Sequence, residues 1–318
     1  MNSKPTLGTD LEFFVFSENK IISADRIFPH SDNREWVGAF GSVYFDSIAG
    51  EINPRPNISR IGLVHNIQRC LNHAYLTASK KYKNINFLPA ASVKITPETI
   101  EGTHETCRHF FHFHPDTNIY NNKSTFCPDE LMTRFAGGHI HIGFKGMEYQ
   151  PIMEDKKENL IQILDAVLGI MSVAMSFGWE EQQRRKYYGA AGNYRDQIHG
   201  IEYRTLSTFW MTSPELVLTI MGIARDCLTI CLHNKDVEFL QMFDQKEVVD
   251  TINNTKVEKA KEIYTEIIKP YYLKSSLTNS PMIHERTRSR IDLMIENGYQ
   301  FFYSPYNLLE CWFIQKHF

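Results

Sequence analysis

Residues 134–144 read Arg-Phe-Ala-Gly-Gly-His-Ile-His-Ile-Gly-Phe. After the glycine pair Gly137-Gly138, histidine alternates with isoleucine, which predicts a β-strand with one polar and one aliphatic face. His139 and His141 then point to the same side, roughly 6–7 Å apart, and the isoleucines face a core. Solvated strand faces usually carry Thr, Lys or Glu, so two imidazoles behind a double glycine indicate a site that needs imidazole and close backbone approach.

Three other predicted strands carry acidic side chains next to glycine. Asp10 and Glu12 are two residues apart on a strand after Gly8, Glu51 lies in Ala-Gly-Glu-Ile-Asn, and Glu202 precedes Arg204 by two residues. A single strand of this kind is more often an ordinary solvated face, but the repetition favours a shared site. If the four strands belong to one sheet, one face holds Asp10, Glu12, Glu51, His139, His141 and Glu202.

Crowded carboxylates raise one another's pKa values unless cations lie among them. Oxygen ligands with one or two imidazoles suit Mg²⁺ or Mn²⁺ better than structural zinc, which takes thiolates or more histidines. Arg55, Arg195 and Arg204 add positive charge, and guanidinium groups match the oxygens of phosphate or carboxylate. An acidic, metal-binding face with arginines suits phosphoryl transfer from a nucleotide. Since the sequence has no P-loop, ATP would be bound in another way.

Four motifs follow one another in a fixed order: Gly8-Thr9-Asp10-Leu11-Glu12, Asp46 to Pro56, Gly137 to Gly143, and Tyr188 to Arg204. Together they resemble the carboxylate–amine ligases with the glutamine-synthetase-type catalytic fold, above all the phage-associated COOH·NH2 ligase (amidoligase) group. Residues 113–118, Phe-His-Pro-Asp-Thr-Asn, are similar to a Pro-Asp element of that group. The resemblance covers about residues 8–210, and the rest of the chain shows nothing diagnostic.

The resemblance implies an ATP-dependent reaction in which a carboxylate becomes an acyl phosphate and an amine then forms the amide. It implies ATP and Mg²⁺, with Mn²⁺ as an alternative, on a sheet of the glutamine synthetase or glutamate–cysteine ligase type. The implied catalytic residues are Glu12, Glu51, Arg204 and Arg195. The implied metal ligands are Asp10, Glu12, Glu51, His139 and Glu202, and the implied nucleotide contacts are His139, His141, Arg204, Arg195 and Arg55. His141 is a second metal or phosphate contact or positions the substrate, and Asp10, which is shorter than the Glu of many relatives, binds directly or through water.

The order of elements predicts an α+β fold with a mainly antiparallel sheet, since strands and helices alternate first and helices follow from Pro214 onward. We predict a catalytic sheet part over residues 1–210 and a helical part over 211–318, packed as one domain. The most apolar helix is predicted over Lys157–Phe177, and Glu180 to Lys186 is predicted to be a solvated helix face. Substrate specificity is expected in Thr96–Asn122 and in the helical part.

Bulk properties narrow the class of protein. The chain has 318 residues, 42% hydrophobic and 22% charged, which is typical of a folded globular protein. A net charge of -3 argues against nucleic acid or anionic membrane as a partner. Without a Cys-x-x-Cys pair or an apolar leader, we predict a cytoplasmic protein with reduced thiols, in the host cytoplasm if a phage encodes it. The expected partners are a small-molecule or peptide carboxylate and an amine, and the oligomeric state stays open.

Two other functions are compatible with parts of the pattern. His139 and His141 with Glu148 would suit the iron or zinc centre of a cupin-like enzyme or metal-dependent hydrolase. A cupin needs a later histidine on a matching strand and an amidohydrolase needs repeated strand–helix units, and neither is evident here. The acidic face would alternatively bind structural cations in a non-catalytic phage or host-binding protein.

Overall fold

The computed structural model describes residues 5–108, 117–122, 131–175, 178–274, 285–298, 308–312 and 314. Residues 113–116 of the predicted Pro-Asp element and Cys127 lie outside these ranges. The other cysteines, Cys70, Cys107, Cys227, Cys231 and Cys311, are free.

The main sheet is arranged around one long strand, β1, which has twelve residues, most of them buried. The strands are β1 Thr6–Ser17, β2 Lys20–Ile22, β3 Glu35–Trp36, β4 Gly41–Asp46, β5 Ala49–Pro54, β6 Ile85–Leu88, β7 Ser92–Lys94, β8 Thr117–Asn118, β9 Thr133–Phe135, β10 Gly138–Gly143, β11 Asn193–Gln197 and β12 Gly200–Tyr203. The first half of β1 pairs with β5 and β10, and its second half pairs with β2 and β6.

The order across the sheet is β3-β4-β5-β1-β10-β12-β11-β8, while β7 and β9 form a separate two-stranded sheet. Every pairing between these strands is antiparallel. The prediction of an α+β fold with a mainly antiparallel sheet is therefore confirmed. The quoted stretch supplies β10, which lies between β1 and β12 at the middle of the sheet.

Strand register brings the polar residues to one face. Glu12 is opposite Glu51, Asp10 is opposite His139, and Glu202 is opposite both His141 and Arg195. Residues directly opposite each other in an antiparallel pair lie on the same face. The alternate residues, including Leu11, Ile140, Ile142 and Ile201, are fully buried in the core on the other side.

Of the described helices, seven lie between strands in the chain, and the other seven follow the last strand, β12. They are α1 Arg60–Ser79, α2 Pro97–Ile100, α3 Glu105–Arg108, α4 Gln150–Asp155, α5 Lys157–Leu164, α6 Ile170–Met175, α7 Trp179–Tyr187, α8 Pro214–Leu232, α9 Asp236–Leu240, α10 Gln245–Asn253, α11 Val257–Ile263, α12 Lys269–Lys274, α13 Glu285–Asn297 and α14 Leu308–Cys311. A π-helical turn, Asp165–Gly169, joins α5 to α6.

The continuous stretch Lys157–Met175 is long and apolar enough to cross a membrane, by length and composition alone. Within the described residues it is the one helix of this kind, and 83% of its most apolar window is buried in the protein. This burial agrees with the predicted core helix. The hydroxyl of Tyr203 on β12 donates to Asp165 Oδ1 in the π-turn at 2.7 Å, which ties the helix to the sheet.

Contacts join the predicted sheet part to the predicted helical part. The Arg60 guanidinium donates to the carbonyl of Leu218, and the Gln68 amide donates to the carbonyl of Trp312. Trp312 Nε1 donates in turn to the carbonyl of Met211 at 2.7 Å. The hydrogen bonds of Arg60 and Gln68 therefore link residues on the two sides of position 210, as does the packing of α8 against α1, while the bond between Trp312 and Met211 lies within the helical part.

Several predicted elements differ from the structure. The strand expected over residues 87–95 is two strands, β6 and β7, in different sheets, because Pro89 between them lacks the amide hydrogen of a ladder. Strand β11 and helix α10 were not predicted. The expectation that α7 presents a solvated face is wrong, since Glu181, Arg184 and Arg185 are buried.

Candidate active site

The residues predicted to share one sheet face do lie together. Glu12 and Glu51 are 7% and 6% exposed, and Glu202 is 1% exposed. His139 and His141 are also buried, and the side chain of Asp10 is 17% exposed. Such burial of charged groups is rare unless they are paired or bind a cation.

Three acids form the first group, which we call the carboxylate group: Glu12, Asp46 and Glu51. Their carboxylate oxygens lie within 4.8 Å of one another. The backbone N–H of Gly137 donates to Glu12 Oε2 at 2.8 Å, and the hydroxyl of Tyr44 donates to Glu51 Oε1. Asp46 reaches the group from the end of β4 and is exposed, so it marks the open side.

The electrostatics of the carboxylate group favour a bound cation. Burial, followed by the negative charge of Asp46, raises the pKa of Glu12 to about 8. Burial together with the charges of Asp10, Asp46 and Glu12 raises the pKa of Glu51 well above its ordinary value. A divalent cation would offset both effects, and carboxylate oxygens are the ligands that Mg²⁺ prefers. The residues of this group therefore fit a magnesium ion.

Asp10, His141 and Glu202 form the second group, which we call the imidazole group. One ligand atom from each lies within 4.8 Å of the other two, and Asp10 Oδ2 is 3.0 Å from His141 Nε2. Burial opposes the charge on both partners, but their mutual attraction outweighs it, so that the pKa of Asp10 is lowered and that of His141 is raised. Two carboxylates and one imidazole fit Mg²⁺ or Mn²⁺.

His139 has different surroundings from His141. Arg204 Nη1 donates to His139 Nδ1 at 3.2 Å and also to Glu202 Oε1. The hydroxyl of Tyr188 contacts His139 Nε2 and accepts a hydrogen bond from Arg204 Nη2 at 2.8 Å. Burial and then the charge of Arg204 hold the pKa of His139 well below its ordinary value, so this imidazole is neutral. The imidazole group contains His141, which the sequence left open as a metal or phosphate contact or a substrate-positioning residue. His139, the predicted metal ligand, lies beside this group, with Nδ1 3.2 Å from Glu202 Oε1.

The three predicted arginines have different positions. Arg204 is 4% exposed and lies within the site. Arg195 is opposite Glu202 on β11 and half-buried, and its charge acts on the Asp46 carboxylate. Arg55 is exposed just beyond the end of β5 and lies outside both groups of acids.

The glycine pair allows other atoms of the protein to lie very close to its backbone. A Cβ on Gly137 would lie 2.4 Å from His139 Nε2, and a Cβ on Gly138 would lie 2.4 Å from the carbonyl oxygen of Ser207. Real Cβ atoms do not approach other atoms so closely. The close approach allowed by these glycines is therefore to the protein's own site residues.

Sequence patterns missed several residues that position the site. Arg184 is fully buried and donates to the carbonyls of Ala136, Thr205 and Leu206 at 2.7–3.0 Å. It thereby joins the segment before Gly137 to the segment after β12. The polar composition of α7 hides this burial. Tyr188, in contrast, opened one of the four motifs and was overlooked as a partner of His139 and Arg204.

Comparisons with known proteins were made for the whole chain. A family model described as phage phiEco32-like COOH.NH2 ligase-type 2 matches residues 130–301, which is more than half of the chain. No curated protein matches the sequence. Among solved structures, the chain is similar to a bifunctional glutathione synthetase from Pasteurella multocida, with 10% identity and a TM-score of 0.49. That similarity covers 98% of this chain and 48% of the other, so this chain spans about half the length of that protein.

The family match begins after the first two motifs and continues through the helical part, where the motifs had shown no resemblance. It confirms the predicted amidoligase family. The chain belongs to the phage phiEco32-like COOH.NH2 ligase-type 2 family.

Proposed function

We propose that the protein forms an amide bond between a carboxylate and an amine at the expense of ATP, through an acyl phosphate. The observation that carries the proposal is the presence of two adjacent three-ligand groups on one sheet face, with Arg204 beside them. Asp10 and Glu12 are two residues apart on β1, which places the groups roughly 7 Å from each other. We also propose that the sheet is of the glutamine synthetase or glutamate–cysteine ligase catalytic type.

In this proposal the carboxylate group and the imidazole group each hold one Mg²⁺. Glu12, Glu51 and Asp46 would be the ligands of the first ion, and Asp10, Glu202 and His141 those of the second. Cations held by these residues would offset the negative charge that develops on the phosphate oxygens during transfer. His139 is reserved for a phosphate contact, since it is neutral and held by Tyr188 and Arg204.

The first step joins the substrate carboxylate to the γ-phosphate. A carboxylate oxygen attacks phosphorus, the bond to the β-phosphate oxygen breaks, and ADP leaves. Arg204 and Arg195 are suited to hold the transferred phosphoryl group, because a guanidinium fork matches phosphate oxygens. Arg204 is already oriented by Glu202 and Tyr188, so little ordering of its side chain is needed during the reaction.

The second step forms the amide. The amine nitrogen attacks the acyl carbon, and the bond between that carbon and the phosphate oxygen breaks. For a neutral amine, the departing phosphate takes the proton that nitrogen loses, so atoms and charge balance. The proposed substrates are small-molecule or peptide carboxylates and amines, and the proposed setting is the cytoplasm, that of the host if a phage encodes the chain.

The test is release of ADP from Mg-ATP in the presence of paired carboxylates and amines, with mass detection of the amide. We expect ADP only when Mg²⁺ and an accepted carboxylate are present, and amide only when an amine is added. A chelator should abolish both products. The proposal is wrong if Mg-ATP does not bind and no pair in a broad panel of amino acids, peptides and cell-wall fragments releases ADP.

A further inference from the structure

A short turn connects β11 to β12 beside the imidazole group. Gln197 is opposite Gly200, so the turn contains Ile198 and His199. The carbonyl of His199 accepts hydrogen bonds from the backbone N–H groups of Phe144 and Lys145 at 2.9 and 3.1 Å. The turn is thereby fixed to the end of β10, the strand that carries His141.

In this turn the apolar residue is exposed and the polar residue is partly buried. Ile198 is 93% exposed, whereas the imidazole of His199 is partly buried. The His199 ring stacks on that of His141, with centroids 5.3 Å apart and planes at 19°. The hydrophobic effect alone would bury isoleucine rather than histidine, so it does not account for the inward position of His199, which contacts His141.

The contact is a hydrogen bond between two specific nitrogens. His199 Nε2 is 3.2 Å from His141 Nδ1, and the other nitrogen of His141 faces Asp10. A cation shared with Asp10 and Glu202 would bind His141 Nε2. His141 Nδ1 then carries the ring proton and donates it to His199 Nε2. A histidine that binds a metal nearly always donates its second ring N–H in this way, and the partner fixes the ring and its tautomer.

The other two members of the imidazole group are held in the same manner. Gln197, at the other end of the turn, donates to Glu202 Oε2. Asn53 on β5 donates to Asp10 Oδ1 at 2.6 Å. Each of the three ligands therefore has at least one hydrogen-bonding partner outside the group, and Glu202 has a second one in Arg204. His199 in the turn and Gln197 directly before it supply partners for two of the three ligands.

We propose that His199 is a positioning residue that orients His141 for cation binding, and that Gln197 does the same for Glu202. The inference rests on the proposed function, since it assumes that the imidazole group binds a divalent cation. According to this inference, the β11–β12 turn controls the affinity of one of the two proposed cation sites. The carboxylate group, which makes no contact with this turn among the described residues, should not depend on it.

The test uses Mn²⁺ alone as the probe, titrated into the full chain without nucleotide and followed by the electron paramagnetic resonance signal of free Mn²⁺. The matched variants are His199→Phe, which keeps an aromatic ring but loses the acceptor, and His199→Gln, which places an amide oxygen near the position of Nε2. The control is Ile198→Ser in the same turn. Circular dichroism and Tm show whether each variant is folded.

We expect the wild-type chain to bind two Mn²⁺ ions. In His199→Phe the affinity of one site should fall about 10- to 100-fold, as for other partners of metal-binding histidines, while the other site is unchanged. His199→Gln and Ile198→Ser should stay within a few-fold of wild type. If His199→Phe does not fold, Gln197→Leu gives the same test through Glu202, with weakening of one site expected.

The inference is overturned if His199→Phe, or Gln197→Leu in its place, binds both ions as tightly as wild type. It is equally overturned if His199→Gln is weakened as much as His199→Phe, or if both sites weaken together, because the residue then serves only the fold. Absence of any Mn²⁺ binding to the wild-type chain would instead overturn the proposed function itself. The experiment therefore distinguishes failure of the inference about His199 from failure of the proposed function.

Discussion

Glu12 combines burial, one backbone hydrogen bond and two neighbouring carboxylates. For Glu12→Gln and Glu51→Gln we expect ADP formation to fall to background while the fold is kept. The amide of glutamine can still accept from Gly137 but cannot bind Mg²⁺ as a carboxylate does. Since repulsion within the group falls, Tm without divalent cations should be unchanged or higher.

Initial rates of ADP release and thermal melts measure these effects. Glu258→Gln is the matched control, because this glutamate has the same chemistry and a side chain that is 89% exposed. Wild-type rates of ADP release in both site variants would contradict the assignment of Glu12 and Glu51 to cation binding.

The pKa of Glu12 also predicts how cation binding depends on pH. In the folded, cation-free protein this pKa is raised to about 8 from an ordinary value of 4.5. Between these two values the folded chain holds more protons at Glu12 than the unfolded chain does. The contribution of Glu12 to the free energy of unfolding is therefore complete below pH 4.5 and is lost as the pH rises through about 8. A bound cation needs the charged carboxylate, so Mg²⁺ affinity should increase with pH, by about tenfold per unit below the pKa for one displaced proton.

The measurement is Tm with and without Mg²⁺ at several pH values. Without the cation, the contribution of Glu12 should lower Tm as the pH rises from 4.5 to about 8 and should level off above that, and the increase in Tm caused by Mg²⁺ should grow over the same range. In Glu12→Gln the pH dependence of Tm that comes from residue 12 should disappear. A Mg²⁺ effect that is independent of pH in the wild-type chain would be inconsistent with a protonated Glu12.

Arg204 makes contacts that a lysine cannot reproduce. Its guanidinium donates to Glu202, His139 and Tyr188 at once, in the planar fork geometry of arginine. We expect Arg204→Lys to lower kcat/KM for ATP on the order of a hundredfold, which is the effect of losing one organised donor to a developing charge. Steady-state kinetics with varied ATP test this, and unchanged ATP kinetics in the variant would refute the role.

At the scale of elements, α7 is held to the sheet by Arg184. Removal of this guanidinium takes a donor from the carbonyls of Ala136, Thr205 and Leu206. Leu206 still accepts from the backbone N–H of Gly138 and Thr205 from Arg185, so the carbonyl of Ala136 loses most. We expect Arg184→Met to reduce the free energy of unfolding by about 2–4 kcal/mol, because each unsatisfied buried polar group costs about 1–3 kcal/mol. Part of this loss is offset, because the variant no longer has to remove a charged guanidinium from water. Urea unfolding measures the change.

Gln182→Met is the control, since it places the same side chain at an exposed position of the same helix. Its free energy of unfolding should stay within about 0.5 kcal/mol of wild type. If Arg184→Met were no more destabilising than this control, Arg184 would not be the link between α7 and the sheet.

The sequence predicted some of the strands and missed others. β1, β5, β10 and β12 were predicted because polar and apolar residues alternate along them with period two. β11, Asn-Tyr-Arg-Asp-Gln, has no such alternation and was missed. Its place in the sheet comes from pairing with β12, which is a contact that no local pattern records.

At the scale of the whole molecule, we predict that the sheet part and the helical part unfold together. Arg60 donates a hydrogen bond to Leu218 and Gln68 donates one to Trp312, so both bonds cross position 210. The apolar stretch Lys157–Met175 is covered by helices from the later part, including α11 and α13. Calorimetry of the full chain should show one cooperative transition.

A chain ending at residue 210 should lack cooperative unfolding and should aggregate, because the core helix would expose its apolar surface. Urea titration and light scattering test this expectation. Two resolved transitions in the full chain, or cooperative unfolding of the shortened one, would contradict the prediction of a single packed domain.

The sequence by itself determined which side chains share a face, because alternation along a strand is a local property of the backbone. It thereby predicted that Asp10, Glu12, Glu51, Glu202 and the two histidines could meet. Only the tertiary structure decided how they divide: His141 joins Asp10 and Glu202, while His139 lies between Tyr188 and Arg204. That division depends on the register between strands far apart in the chain, and so do the burial of Arg184 and the inward position of His199, for which spacing along the sequence holds no information.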